Sequence, residues 1–60
     1  MTFKEKTLNH DFIERNSSDG IIWTAIQIDA NSNVILENNE TGNTCMYRLL
    51  DVYKYFDKLN

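Results

Sequence analysis

Residues 21–30 read Ile-Ile-Trp-Thr-Ala-Ile-Gln-Ile-Asp-Ala, and this stretch decides the fold. β-Branched and aromatic side chains dominate it, which favours an extended conformation over a helix. Turn-forming residues flank the stretch at 16–20 and at 31–33. The pattern therefore predicts a strand with a turn at each end.

The hairpin that follows this strand is predicted from its register. A three-residue loop at 31–33 makes Ile28 face Leu36 and gathers apolar residues on one side of the sheet, whereas loops of two or four residues mix apolar and charged residues on both sides. Asn33 would then be the third loop residue, in the left-handed conformation. The expected core face contains Ile22, Ile26, Ile28, Ala30, Val34 and Leu36.

A third strand is predicted over residues 43–48. Gly42 suits the left-handed position of a second three-residue loop at 40–42, which would pair Leu36 with Met46 and Ile35 with Tyr47. A helix that starts at Thr44 is the competing interpretation. The strand is preferred because Thr-Cys-Met-Tyr favours an extended chain and because it gives Gly42 a role.

Residues 49–59 have the spacing of an amphipathic helix. This helix is expected to cover the apolar face of the sheet. The stripe that would make the contact consists of Leu49, Val52, Tyr53, Phe56 and Leu59.

Residues 1–15 leave two alternatives open. The segment from Phe12 to Arg15 is either a first strand, joined to Ile21 through the Asp19-Gly20 turn, or part of a short helix from Leu8 to Arg15. The expected architecture is thus one α+β domain over residues 1–60. It has an antiparallel meander at 21–48, of three strands or of four if 12–15 is one, and a C-terminal helix packed on one face.

Length and composition narrow the class of protein. Sixty residues form one domain with a small core, and the formal net charge is −3. A single cysteine and the absence of an apolar run of about 20 residues predict a cytoplasmic chain without a membrane segment. The segment between Arg15 and Arg48 has no basic residue, which argues against nucleic acid as a partner of that region.

One motif resembles a calcium-binding loop. Asp29, Asn31, Asn33, Glu37 and Glu40 fall at positions 1, 3, 5, 9 and 12, where an EF-hand places oxygen ligands. The glycine required at position 6 is replaced by valine, and a strand rather than a helix precedes the motif. An asparagine-rich hairpin is therefore the preferred interpretation, and no metal or cofactor is predicted.

Catalytic residues are not evident. His10 next to Asp11 has the elements of an oriented general base, but no activated nucleophile accompanies the pair. Cys45 is expected to pack within a strand. A catalytic site requires several groups in complementary roles, so the chain is not predicted to be an enzyme.

The second face of the predicted sheet is the candidate interaction surface. It carries Trp23, Ile35, Tyr47, Gln27, Asp29 and Glu37. One C-terminal helix covers one face only, so the N-terminal segment, a second copy of the chain or another protein must cover this one. Cover by the N-terminal segment is preferred.

The resulting functional prediction is a small non-catalytic protein-binding module, such as a regulator or inhibitor of a larger protein. A DNA-binding domain is the alternative, provided that Lys4, Lys6, Arg15 and Arg48 cluster in space. A homo-oligomeric protein of unknown role is the third interpretation.

Overall fold

The computed structural model describes residues 1–59, which form two helices and five strands. In chain order the elements are α1 (Phe3–Thr7), β1 (Asp11–Glu14), β2 (Ile22–Ile28), β3 (Asn33–Asn38), β4 (Thr44–Arg48), α2 (Leu49–Tyr55) and β5 (Phe56–Leu59). The predicted α+β class is confirmed.

All five strands belong to one curled antiparallel sheet with the order β4-β3-β2-β1-β5. The sheet has more strands than the three or four predicted, because the chain returns after α2 and adds β5 to the free side of β1. β1 pairs with β2 through Phe12 and Trp23, so the strand interpretation of residues 12–15 is right and the helix from Leu8 to Arg15 is wrong. Asn60 of the predicted 1–60 domain lies outside the described residues.

Helix α1 was not predicted, although the sequence contains its start signal. The Thr2 hydroxyl accepts a hydrogen bond from the Glu5 backbone N–H, and the Glu5 carboxylate accepts one from the Thr2 N–H. This reciprocal arrangement is a capping box, and its sequence signature is Thr-x-x-Glu. At its end the buried Thr7 hydroxyl lies 2.7 Å from the Tyr53 hydroxyl, which fixes α1 against α2.

The β2–β3 hairpin has a three-residue loop, shifted by one residue from the prediction. The Asp29 N–H donates to the Asn33 carbonyl, so the loop consists of residues 30–32. The third loop residue is Ser32, with φ of 63°, and Asn33 begins β3 instead. The kind of turn is therefore as predicted and its position is not.

A β-bulge in β2 changes which side chains face the core. Ile28 pairs with Val34, whereas Ala25 pairs with Leu36, so the extra residue Ile26 interrupts the ladder. An inserted residue reverses the alternation of faces on one side of the bulge. As a result Trp23 lies on the same face as Ile28.

The β3–β4 connection is one residue longer than predicted. The Asn38 N–H donates to the Asn43 carbonyl, which leaves a four-residue loop at 39–42. Gly42 occupies the left-handed region as expected, with φ of 78°. The register places Leu36 opposite Cys45, rather than opposite Met46. The preferred strand at 43–48 is confirmed as β4, and the helix start at Thr44 is wrong.

The predicted helix at 49–59 divides into two elements. α2 ends at Tyr55, and β5 pairs with β1 from Phe56 opposite Glu14 to Leu59 opposite Asp11. Val52 of the predicted stripe is buried as expected. Leu59 is not in a helix and is partly exposed at the edge of the sheet.

The core lies on the inner face of the sheet, which α2 covers. Its six buried apolar residues are Phe12, Ala25, Val34, Leu36, Val52 and Phe56. Phe12 packs edge-on against Tyr53, with ring centroids 5.8 Å apart. Contacts of this type hold α2 against the inner face of the sheet.

Candidate functional site

The opposite side of the sheet, called the outer face here, is the candidate functional site. The registers assign the following residues to it: Asp11, Ile13, Ile22, Thr24, Gln27, Asn33, Ile35, Glu37, Thr44, Met46, Arg48, Asp57 and Leu59. Met46 is 60% exposed. Ile26, at the bulge beside Gln27, is 42% exposed and adds to this surface. Exposed apolar side chains on a rigid sheet are a common feature of interaction surfaces.

The outer face has two aliphatic pairs with a polar row between them. Met46 lies opposite Ile35, and Ile13 lies opposite Ile22. In the row between the pairs, the Thr24 hydroxyl lies 2.7 Å from a carboxylate oxygen of Asp11 and 3.1 Å from the Asn39 side-chain oxygen. The surface therefore combines apolar contact area with fixed hydrogen-bonding groups.

No helix described here lies over the outer face. Val52 of α2 belongs to the core on the inner side, and α1 is held against α2 through Thr7 and Tyr53. The N-terminal segment extends the sheet through β1 instead of folding over its outer surface. The preferred prediction, that this segment covers the second face, is therefore wrong.

A groove continues the outer face at one end, where the β2–β3 loop meets the start of α2. Its volume is about 890 Å³. Leu50, 75% exposed, lines the groove together with Asn33 and Arg48, which are paired on the outer face. The groove lining also includes Asn31, Ser32, Leu49 and Asp51. The exposed apolar area thus extends beyond the strands.

Two of the six predicted interface residues lie on the inner face instead. Tyr47 packs edge-on against Phe56, with ring centroids 5.2 Å apart, and burial raises the pKa of its hydroxyl. Trp23 packs against the buried core. The predicted grouping of Trp23 and Tyr47 with Ile35 on one face is wrong, because the bulge and the one-residue shift at β4 move both aromatic residues inward.

Three of the other predicted interface residues do lie together on the outer face. Gln27 is opposite Ile35, and Glu37 is opposite both Thr24 and Thr44. The residues that the prediction missed include Met46, Ile26 and Ile22, all of which it assigned to the core. No local signal in the sequence marks the bulge that exposes Ile26.

Asp29, the sixth predicted interface residue, organises the β2–β3 loop. Its carboxylate accepts hydrogen bonds from the Asn33 N–H at 2.9 Å and from the Asn31 N–H at 2.8 Å. These bonds, with that from Asn33 N–H as the largest cause, lower the pKa of Asp29. Strand β3, about 20 Å long, separates Asp29 from Glu40. The oxygen atoms of the calcium-loop motif therefore do not surround one point where a cation could bind.

The lowered pKa of Asp29 predicts a pH dependence of stability. A group with a lowered pKa in the folded state stabilises the fold above its unfolded pKa of about 3.9, and this contribution disappears as the pH falls through the folded pKa. We expect the wild type to exceed Asp29→Asn in free energy of unfolding at pH 7, and the difference to shrink as the pH falls from about 5 to about 2. Urea unfolding at both pH values, followed by circular dichroism, measures this. A difference that is unchanged at about pH 2 would contradict the assignment.

Asp11 and Cys45, two of the titratable residues singled out in the sequence, lie on opposite faces of the sheet. Burial, with a smaller contribution from the charge of Glu14, raises the pKa of the Cys45 thiol, which favours the uncharged form. The Asp11 carboxylate is engaged by Thr24 on the outer face. Within residues 1–59 no three His, Cys, Asp or Glu side chains are placed to hold a metal ion.

The basic residues required for the DNA-binding alternative do not form one cluster. Arg15 forms an ion pair with Asp57 at 2.9 Å, beyond the Ile13–Ile22 pair at one end of the sheet. Arg48 lies beside Asn33 at the other end, about 20 Å away along the strands. A phosphate backbone would therefore not meet both arginines in one compact patch.

Two further observations bear on the class of protein. Neither helix found in residues 1–59 has the length and apolar character needed to cross a membrane. Comparisons of the chain with protein-family models, with curated proteins and with solved structures gave no match.

Proposed function

We propose that this chain is a non-catalytic protein-binding module that uses the outer face of its sheet. The observation that supports this proposal is the uncovered Met46–Ile35 pair with the exposed Ile26 nearby. Strand pairing holds the backbone beneath these side chains rigid, so little backbone conformational entropy is lost when a partner covers them. Regulators and inhibitors of larger proteins require no more than such a surface.

The charges on this face favour a partner with basic residues. Asp11 and Glu37 lie in the polar row at its centre, whereas Arg15 and Arg48 lie at its two ends. The chain as a whole carries a formal net charge of −3. Opposite charges around an apolar contact accelerate association and help to select the partner.

Substitution of Ile26 by Asp tests this function. It places a charge on the outer face in β2, two strands away from the edge of the sheet. The immobilised chain is exposed to a lysate of the cells that express it. We expect the amount of protein retained by Ile26→Asp to be about tenfold or more below that retained by the wild type. Quantitative mass spectrometry of the retained proteins measures the change.

Asn43→Asp is the matched control, because it adds the same charge at an exposed position immediately before β4. We expect this variant to retain the same proteins as the wild type. Thermal unfolding of all three chains establishes that each is folded in the assay. Equal retention by folded wild type and folded Ile26→Asp would contradict the proposed surface.

A further inference from the structure

The two edges of the sheet differ in how well they are protected. β4 and β5 are the outermost strands and are not paired with each other within residues 1–59. β5 carries Asp57 and Lys58 in its middle, and charges of this kind discourage the addition of another strand. β4 reads Thr-Cys-Met-Tyr-Arg, with no proline and with its one charge at the end. β4 is therefore the edge that is open to strand addition.

The backbone groups that β4 presents at this edge follow from its hydrogen bonds. The Asn38 N–H donates to Asn43 at 2.8 Å, and the Leu49 N–H donates to Ser32 at 2.9 Å, which marks bonded pairs at both ends of β4. In an antiparallel ladder every second residue between such pairs bonds to the neighbouring strand. The others direct N–H and C=O toward the free edge: Thr44, Met46 and Arg48.

We propose that a second copy of this chain adds to β4 in antiparallel orientation, with the two-fold axis at Met46. The proposal rests on the proposed protein-binding function, and the second copy binds at the β4 edge rather than at the acidic row of the outer face, which favours a basic partner. Met46 then faces Met46 of the second copy, and Thr44 faces Arg48. All edge-facing backbone groups of the strand are paired in this register, and two sheets join into one.

Side chains on the outer face are complementary in the same register. Across the axis, the Met46–Ile35 pairs of the two copies form one continuous aliphatic row. Glu37 lies beside Thr44, so Arg48 of the second copy is about 10 Å from Glu37, two strand spacings away. Thr44 is small, and the long Arg and Glu side chains meet over it. The charge contact occurs twice by symmetry, and no like charges are opposed.

The size of the contact indicates a weak dimer. A five-residue strand is about 17 Å long, and its pairing buries less than the roughly 800 Å² per partner of a stable interface. We expect dissociation constants in the micromolar to millimolar range.

Sedimentation velocity from about 10 μM to about 1 mM tests the dimer. The wild type is expected to approach the mass of two chains as its concentration rises. Met46→Pro removes the N–H that faces the edge and leaves the β3–β4 ladder intact, since proline is tolerated at such positions. This variant is expected to dissociate about tenfold or more readily.

A charge exchange tests the register with variants that keep the backbone unchanged. Arg48→Glu places a carboxylate near Glu37 of the other copy and is expected to weaken the dimer about tenfold. The double variant Glu37→Arg, Arg48→Glu restores the opposite charges and is expected to return to within about threefold of the wild type. Failure of the double variant to recover would contradict the register.

Disulfide formation provides a second readout. In a Cys45→Ser chain, Met46→Cys is expected to give a covalent dimer on mild oxidation, whereas Leu50→Cys is not. A wild type that stays monomeric at 1 mM, an assembly larger than a dimer, or a dimer that folded Met46→Pro leaves unchanged would overturn the proposal. Ile26→Asp lies away from the β4 edge, so it tests the outer-face function and not the dimer. Failure of the dimer proposal and failure of the outer-face function are therefore distinguishable.

Discussion

Phe12→Ala is expected to remove more than half of the free energy of unfolding at 25 °C. Phe12 is 0% exposed and contacts Tyr53 across the core. Removing a buried phenylalanine costs about 3–5 kcal/mol. A 60-residue domain has a total stability of only about 3–9 kcal/mol, so the substitution removes most of it. Urea unfolding followed by far-ultraviolet circular dichroism measures the loss.

Phe3→Ala is the control for this prediction. Phe3 also contacts Tyr53, with ring centroids 5.5 Å apart, but it is 58% exposed. We expect it to cost about 1 kcal/mol or less, because most of its surface is already in water. Similar unfolding midpoints for the two variants would show that Phe12 is not at the centre of the core.

Trp23→Ala is expected to have the second largest effect, and the effect is on stability. Trp23 is paired with Phe12 in the sheet and packs on the buried core, although part of its ring is exposed. We expect a loss of about 2–4 kcal/mol, below the full cost of a buried tryptophan. Thermal unfolding followed by circular dichroism measures it, since the variant has no tryptophan fluorescence.

Met46→Ala distinguishes this result from that of a surface residue. From the sequence alone, Met46 was predicted to lie in the core and Trp23 at the interface. In the structure Met46 is exposed, so we expect its substitution to change stability by about 0.5 kcal/mol or less at low concentration. A larger loss for Met46→Ala than for Trp23→Ala would reverse the assignment of the faces.

The elements with strong local signals were predictable. β2 has seven residues with β-branched and aromatic side chains between turns, and Gly42 marks a turn by its left-handed conformation. The capping box at Thr2 and Glu5 was equally readable and identifies α1. Such signals depend on a few neighbouring residues, so one sequence is sufficient to find them.

β5 was hidden because its four residues also continue a helical pattern. Phe56 and Leu59 have helical spacing after Val52, and a run this short does not distinguish the two periods. The strand forms because β1 offers an open side, from Glu14 opposite Phe56 onward. A long-range pairing of this kind overrides local preference.

The candidate site was predictable only in part, because side-chain orientation depends on register. Ile35, Gln27 and Glu37 were placed together correctly, since Ile35 and Glu37 alternate along one strand and Gln27 lies on the loop side of the bulge. The bulge at Ile26 reverses the orientation of Trp23 within the same strand. One extra residue moves a whole strand segment to the other face, and the hydrophobic pattern of residues 21–30 is compatible with both arrangements.

The most direct test of the outer face as a protein-binding surface is site-specific photo-crosslinking in the cells that express the chain. A benzophenone amino acid at Gln27 lies on the outer face, and the same group at Lys54 lies on α2; both positions are exposed. We predict defined covalent adducts with other proteins from position 27, reduced by Ile26→Asp, and no such adducts from position 54. Adducts from position 54 alone, or the same adducts from both positions, would contradict a function carried by the outer face.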